Sequence, residues 1–131
     1  AGLVNASLRA FSSPELQQNT GTRRRQAARI IKHLRQELAH EHPLLTMPTG
    51  WMIDSLVSNC PKVLLSQDDW PSVVMALTSH IASETSSETP SPAGFFQLDG
   101  QTPLFPNHEL FDDYDAHRFC MALNEYMKTL A

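Results

Sequence analysis

Apolar residues recur at helical spacing in about four segments of the chain, which predicts a mostly α-helical domain. The clearest segment is residues 23–40, where the apolar positions fall on one side of a helix with about 3.6 residues per turn. These positions are Ala27, Ile30, Ile31, Leu34 and Leu38. This helix is expected to end before Pro43, because proline disfavours helical geometry in the residue before it.

Three shorter segments carry the same spacing. Residues 51–60 predict a short buried helix that Pro61 ends. A third helix is predicted to begin within residues 68–71 and to fade into residues 83–92, since aspartate caps a helix and Pro71 fits its first turn. The last predicted helix is residues 113–130, with an aspartate at its start.

The stretch between the third and last helices lacks helical spacing. Residues 83–92 are rich in Ser, Thr and Pro and predict a loop. In residues 95–105, Asp99-Gly100 lies between two apolar-rich arms, which is typical of a short β-hairpin. Pro103 would confine the second arm to a sheet edge.

Basic residues are concentrated on the side of the first helix that faces away from its apolar positions. Six of the ten Lys and Arg lie in residues 23–38, although the chain has a net charge of −4. Arg25, Arg29 and Lys32 recur there at helical spacing. Fixed cations on a rigid helix suit phosphate groups. The alternative is a solvated face paired with acids from elsewhere, and spacing alone favours it.

One acid lies inside an apolar helix. Asp54 belongs to the segment 51–60, and a carboxylate in such surroundings needs a partner. A basic side chain of the first helix is the expected partner. The default role of Asp54 is therefore structural support, and the alternative is that it holds a cation in place for a ligand.

The remaining polar residues do not predict chemistry. Asp113 and Asp115 could be interpreted as metal ligands or as acids in the first turn of a helix. The second interpretation is favoured, because the free N–H groups of a first turn favour negative charge. Cys60 and Cys120 lie in apolar contexts and predict buried, reduced thiols of a cytoplasmic protein. No apolar run reaches the about 20 residues that cross a bilayer. We therefore predict no metal site, no catalytic residue and no membrane contact.

Two stretches of the chain match known motifs in order. Residues 19–35 are similar to the pattern N-x-x-T…K-x-x-x-R-I-L-K-x-L-R, and residues 50–61 to S-[YF]-x-I-E-x-L-V-x-N-x-P. A Trp-x-x-V helix at residues 70–73 and a D-G-x-x-x-L-F segment at residues 99–105 follow in the same order. Over residues 19–130 the chain thus resembles the C-terminal helical domain of bacterial nucleotidyltransferases related to cyclic GMP-AMP synthase and oligoadenylate synthetase, the CD-NTase type.

The resemblance implies a position for the phosphate contacts. Lys32 matches the family lysine that reaches the triphosphate of the donor nucleotide, and Arg25 or Arg29 would help it. The family serine that touches phosphate is Gly50 here, with the hydroxyl of Thr49 beside it. Asp54 stands where the family has glutamate, and it would support Lys32.

The resemblance also implies a domain organisation. The family's catalytic half has a Gly-Ser or Gly-Gly turn followed by Asp-x-Asp on a strand, and these acids, with a third carboxylate, hold two Mg²⁺ ions. Asp113-Tyr114-Asp115 has the Asp-x-Asp spacing, but no such turn precedes it and it lies at the wrong end of the chain, so the motif has no counterpart here. Residues 1–22 would be an irregular lead-in from a missing catalytic domain, and residues 23–131 the helical second domain of a polymerase-β-type nucleotidyltransferase. Alone, this chain should bind nucleotide weakly and catalyse nothing.

The function implied is synthesis of a cyclic or linear oligonucleotide second messenger in antiphage defence. The full-length enzyme would need Mg²⁺ and a nucleoside triphosphate, and a regulatory protein is a possible partner. Two alternatives stay open. The chain would otherwise be a free-standing helical interaction module whose basic side docks an acidic partner, or, less favoured, an RNA-binding domain with strongly salt-dependent affinity.

Overall fold

The computed structural model describes residues 20–86, 95–105 and 111–130. Within these ranges the chain forms four α-helices and one short 3-10 helix, and no β-strand. The α-helices are α1 (Thr20–Glu41), α2 (Gly50–Ser58), α3 (Trp70–Glu84) and α4 (Asp113–Thr129), and the 3-10 helix is Lys62–Ser66. The predicted mostly α-helical class is thereby confirmed. No helix in these ranges has the length and apolar character needed to cross a membrane.

The first helix begins earlier than predicted. Residues 20–22 were expected to be irregular, but they form the first turn of α1. The hydroxyl of Thr22 accepts a hydrogen bond from Arg25 at 3.3 Å, a contact between neighbouring turns that helical geometry allows. The rest of the predicted lead-in, residues 1–19, lies outside the described residues.

The third helix ends just inside the Ser/Thr-rich segment, as predicted. It continues through Glu84 into the Ser/Thr-rich segment, and Thr85 follows as its C-cap. The Thr85 hydroxyl is buried and donates to Ile81 O at 2.7 Å, so a residue that favours loops closes the helix end instead. Residues 87–94 of the predicted loop lie outside the described residues.

The predicted β-hairpin is a loop closed by one antiparallel bridge, between Phe96 and Pro103, and not a pair of strands. The turn chemistry is as the sequence indicates. Gly100 has a φ of 73°, and the Asp99 carboxylate accepts hydrogen bonds from the residues that follow it. Two backbone hydrogen bonds flank the bridge, from Gln97 N–H to Thr102 O at 2.7 Å and from Leu104 N–H to Phe95 O at 2.9 Å. Pro103 has no N–H group to offer to a further strand on its outer side, as expected for a sheet edge.

Asn59 attaches this loop to the helical body. Its side-chain amide donates to Phe96 O at 2.7 Å and accepts from Phe96 N–H at 2.9 Å. The same Nδ2 donates to Ser55 O in α2 at 2.7 Å. One side chain at the C-cap of α2 thus takes the place of a neighbouring strand, which explains why the loop is ordered without a sheet.

The core lies between α1 and the antiparallel pair of α3 and α4, and α2 packs on α1. The apolar side predicted for α1 is buried. The largest fully buried side chains are Phe119, Ile30, Leu34, Leu38, Ile53, Leu65, Leu77, Ile81 and Leu123. Both cysteines are buried free thiols, as predicted. Burial raises the pKa of Cys60 to about 12 and also raises that of Cys120, so neither forms a reactive thiolate near neutral pH.

Replacing Asn59 with alanine is expected to destabilise the fold by about 2–3 kcal/mol, because it leaves both backbone groups of Phe96 without their partner. The free energy of unfolding in urea measures this. Ser58→Ala is the matched control, since the exposed Ser58 hydroxyl makes one local bond and should cost less than about 0.5 kcal/mol. Equal losses in the two variants would contradict the role given to Asn59.

Candidate functional site

The basic residues of α1 fall into two groups. One group binds partners on α2, on the turn before it or on the 3-10 helix. The other group, Arg25 and Arg29, is exposed to solvent. The first group consists of Arg23, Arg24, Lys32 and Arg35. The basic side of the helix predicted from spacing is therefore partly structural and partly exposed to solvent.

Three guanidinium groups bind backbone carbonyls. Arg35 Nη1 donates to Pro48 O at 2.8 Å, just before α2 begins, and Arg24 Nη1 donates to Val57 O at 2.7 Å in its last turn. The buried Arg23 donates to Leu65 O in the 3-10 helix. A cation is favoured at the C-terminal end of a helix by the helix dipole. These contacts hold α2 and the 3-10 helix on α1.

Lys32 pairs with Asp54. Its Nζ lies 2.9 Å from Oδ1 and 3.0 Å from Oδ2, which is the partnership expected for an acid in this apolar helix. The two side chains are 32% and 37% exposed. An ion pair that open to water contributes at most about 1 kcal/mol. The pair therefore positions the Lys32 ammonium more than it stabilises the fold.

The end of the Lys32 side chain lies beside the N-terminus of α2. A Cβ atom placed on Gly50 would lie 3.5 Å from Lys32 Cε and 3.9 Å from its Nζ. Thr49 caps this helix, and its Oγ1 accepts from Met52 N–H at 3.1 Å. Its hydroxyl proton is not used in that bond. An ammonium group beside the positive end of a helix is the arrangement that binds anions.

Arg29 and Arg25 extend this positive region along α1. They lie about one and two turns from Lys32 on the same flank, so the three residues cover about 10 Å of the helix axis. Arg25 contacts the Thr22 hydroxyl at 3.3 Å, a weak bond that a stronger acceptor would replace. Of the predicted site residues, Lys32 and Gly50 are thus adjacent, and Arg29 and Arg25 precede Lys32 along α1.

Trp51 was not singled out from the sequence. It follows Gly50, yet 47% of it is exposed, although α2 is otherwise largely buried. The sequence contained a signal, because Trp51 falls outside the apolar stripe of Ile53, Leu56 and Val57. An exposed indole beside an anion site offers a flat apolar surface to a ligand.

The acids at the start of α4 serve the helix. The Asp112 carboxylate accepts from Asp115 N–H at 2.9 Å, and the Asp115 carboxylate accepts from Asp112 N–H at 3.1 Å. This is a reciprocal capping box. In the part of the chain that the structure describes, no group of three or more His, Cys, Asp and Glu is arranged to hold a metal ion.

Comparison with known proteins identifies a family model that matches this chain. The family model described as the cGAS/DncV-like nucleotidyltransferase C-terminal helical domain matches residues 14–128. A search of curated proteins and a search of solved structures each found no match. The matched range includes every residue of the site described above.

We expect the two groups of cations to differ in their effect on stability. Arg24→Met should lower the free energy of unfolding by about 1–2 kcal/mol, because it removes a charged hydrogen bond to Val57 O. Arg25→Met, the matched control one residue away, should change it by less than about 0.5 kcal/mol. Thermal and urea unfolding of both variants measure the difference. A larger loss for Arg25→Met would contradict the division into structural and exposed cations.

Proposed function

The chain belongs to the family of cGAS/DncV-like nucleotidyltransferase C-terminal helical domains, and on that basis we propose that it forms the wall of a donor-nucleotide site that contacts the triphosphate. The observation that carries this proposal is the position of Lys32 Nζ beside Gly50 at the N-terminus of α2. Arg29 and Arg25 would bind the phosphates that extend further from this point.

The donors at the start of α2 support this assignment. Met52 N–H is bound by the Thr49 hydroxyl, and Ile53 N–H bonds to Thr49 O at 3.0 Å. The N–H groups of Gly50 and Trp51 precede these and have no acceptor within the helix. A phosphate placed here would receive backbone donors, the Thr49 hydroxyl proton and the Lys32 ammonium together.

The pairing of Lys32 with Asp54 would still allow Lys32 to bind a phosphate. The Lys32 ammonium has several donor hydrogens, and the carboxylate does not use all of them. The pair is partly exposed, so a phosphate reaching Lys32 does not have to bring a buried charge out of the protein. Asp54 therefore keeps Lys32 close to Gly50 before the nucleotide arrives.

The chemical contribution of this wall would be electrostatic. Lys32 and the arginines would neutralise the β- and γ-phosphates, stabilising the bound substrate and the pyrophosphate that leaves. No proton transfer is assigned to them. The carboxylates that would hold the Mg²⁺ ions of such a reaction would lie in a separate catalytic domain. The product class we propose is a cyclic or linear oligonucleotide messenger used in antiphage defence.

Trp51 extends the proposed site towards the base. Its exposed indole is adjacent in sequence to the helix end that would hold phosphate. Aromatic side chains stack on nucleobases with little dependence on base identity. We therefore assign Trp51 a stacking role that contributes affinity for the nucleotide.

The proposal is tested in the full-length protein with Lys32→Ala. Nucleoside triphosphate affinity, measured by titration calorimetry, should fall about tenfold, since a charged contact of about 1.4 kcal/mol is lost. Lys62→Ala is the matched control, because Lys62 is an exposed lysine of the 3-10 helix, and it should leave affinity unchanged. If both variants bind nucleotide and form product like the unmodified protein, while binding of an acidic partner falls, the interaction-module alternative is correct.

Gly50 allows a separate test of the helix end. A Cβ atom here would meet Lys32 only at ordinary contact distances, so Gly50→Ala and Gly50→Ser should both fold without loss of stability. The serine adds a hydroxyl donor that the alanine lacks. Triphosphate should bind Gly50→Ser about two- to fivefold more tightly than Gly50→Ala. Equal affinities for the two variants would place the phosphate away from this helix end.

A further inference from the structure

A second surface of the molecule lies along the outward side of α4. An open groove of about 910 Å³ runs between α4 and a segment made of the last residue of α1, Glu41, and the residues that follow it. Its apolar lining includes Leu45, Met121, Ala122, Tyr126 and Leu130. None of the residues assigned above to phosphate binding lines this groove.

Large apolar side chains are exposed on this surface. Tyr114 is 62% exposed and Met121 is 47% exposed, two turns apart on the same side of α4. Leu44, next to the groove residue Leu45, is 94% exposed. Apolar side chains gathered beside a groove and bordered by charges are typical of a protein–protein contact.

The charges on this surface have a symmetric arrangement. Arg118 and Glu125 are both exposed. Arg118 lies three residues before Met121, and Glu125 lies three residues after Ala122. Two copies of α4 packed antiparallel, with a two-fold axis at Met121 and Ala122, would place each Arg118 opposite Glu125 of the second copy. Self-complementarity of this kind is what an isologous interface requires.

We propose that this protein dimerises through antiparallel packing of α4 against α4 of a second copy. The apolar Met121 and Ala122 would form the centre of the contact, and two Arg118–Glu125 pairs would border it. Tyr126 and Leu45 would line the groove that receives the opposing helix.

Arg118 and Glu125 have contacts within one chain, and these contacts do not prevent them from pairing with the second copy. Arg118 lies over the Tyr114 ring at 5.7 Å, and Glu125 pairs with Lys128 at 3.0 Å. Both Glu125 and Lys128 are more than half exposed, and such surface pairs contribute little. Replacing them with pairs across a partly dehydrated interface costs little and adds specificity.

The mixed charge of the groove favours a second copy over a partner of one sign. Glu41 and Glu125 line it together with Arg118, so neither an acidic nor a basic peptide is matched along its length. A contact limited to one helix pair is smaller than the about 800 Å² per partner typical of stable complexes. The dimer should therefore be weak and depend on protein concentration.

Sedimentation velocity of the full-length protein over a dilution series tests this proposal. The unmodified protein should convert from monomer to dimer as concentration rises. Arg118→Glu and Glu125→Arg should each raise the dissociation constant about tenfold or more, because like charges then face each other. The double variant should return to within about threefold of the unmodified protein, since it restores both pairs in reverse.

Two controls make the outcome decisive. Lys62→Glu changes charge as much as Arg118→Glu but lies outside the groove, and it should leave the dissociation constant unchanged. Circular dichroism should show the same helical content in every variant, since the substituted side chains are exposed. A protein that stays monomeric, a dimer insensitive to both single variants, or a double variant that does not recover would each overturn the proposal.

Discussion

The fold depends on how a nine-residue helix is held in place on a long one. A helix as short as α2 is not stable alone in water, so its position must come from contacts. Arg35 binds the carbonyl of Pro48 before its first turn, and Arg24 binds the carbonyl of Val57 in its last. Eleven residues separate these arginines, about 16 Å of helix, which is close to the length of α2. The two ends are thus fixed together, and α2 runs antiparallel to α1.

The geometry of the candidate site follows from this docking. Once both ends of α2 are bound, its N-terminus has to lie beside the turn of α1 that carries Lys32. Asp54 then closes an ion pair with Lys32 inside the same contact. Guanidinium groups are suited to the carbonyl contacts because they remain charged and donate in fixed directions. Lysine is suited to position 32, where the side chain pairs with Asp54 and is proposed to bind phosphate, since its ammonium is a mobile point charge.

Sequence patterns predicted the features that depend on the burial of apolar side chains. The apolar period located all four helices, and the Asp and Pro signals located the starts of α3 and α4. Helical spacing put Arg25, Arg29 and Lys32 together on one side, but which cation of the first helix pairs with Asp54 could not be predicted until α2 is placed on α1. The loop at residues 95–105 shows the same limit. Asp99-Gly100 predicted the turn, but the partner of its backbone is a side chain, Asn59, from a distant helix.

The two surfaces of the molecule differ in their pattern of charge, and for this reason we propose different functions for them. The α1–α2 surface presents Arg25 and Arg29 together with Lys32, which pairs with Asp54, and this concentration of cations suits the phosphate binding that we propose. The groove along α4 is lined by Glu41, Glu125 and Arg118, so charges of both signs are present and it favours a complementary pattern over net charge. The buried side of α4 cannot serve either purpose. Asn124 there donates to Met75 O at 3.1 Å and ties α4 to α3. Among the described residues of α4, those on the outward face are exposed, and a dimer formed there would leave the proposed phosphate-binding wall accessible.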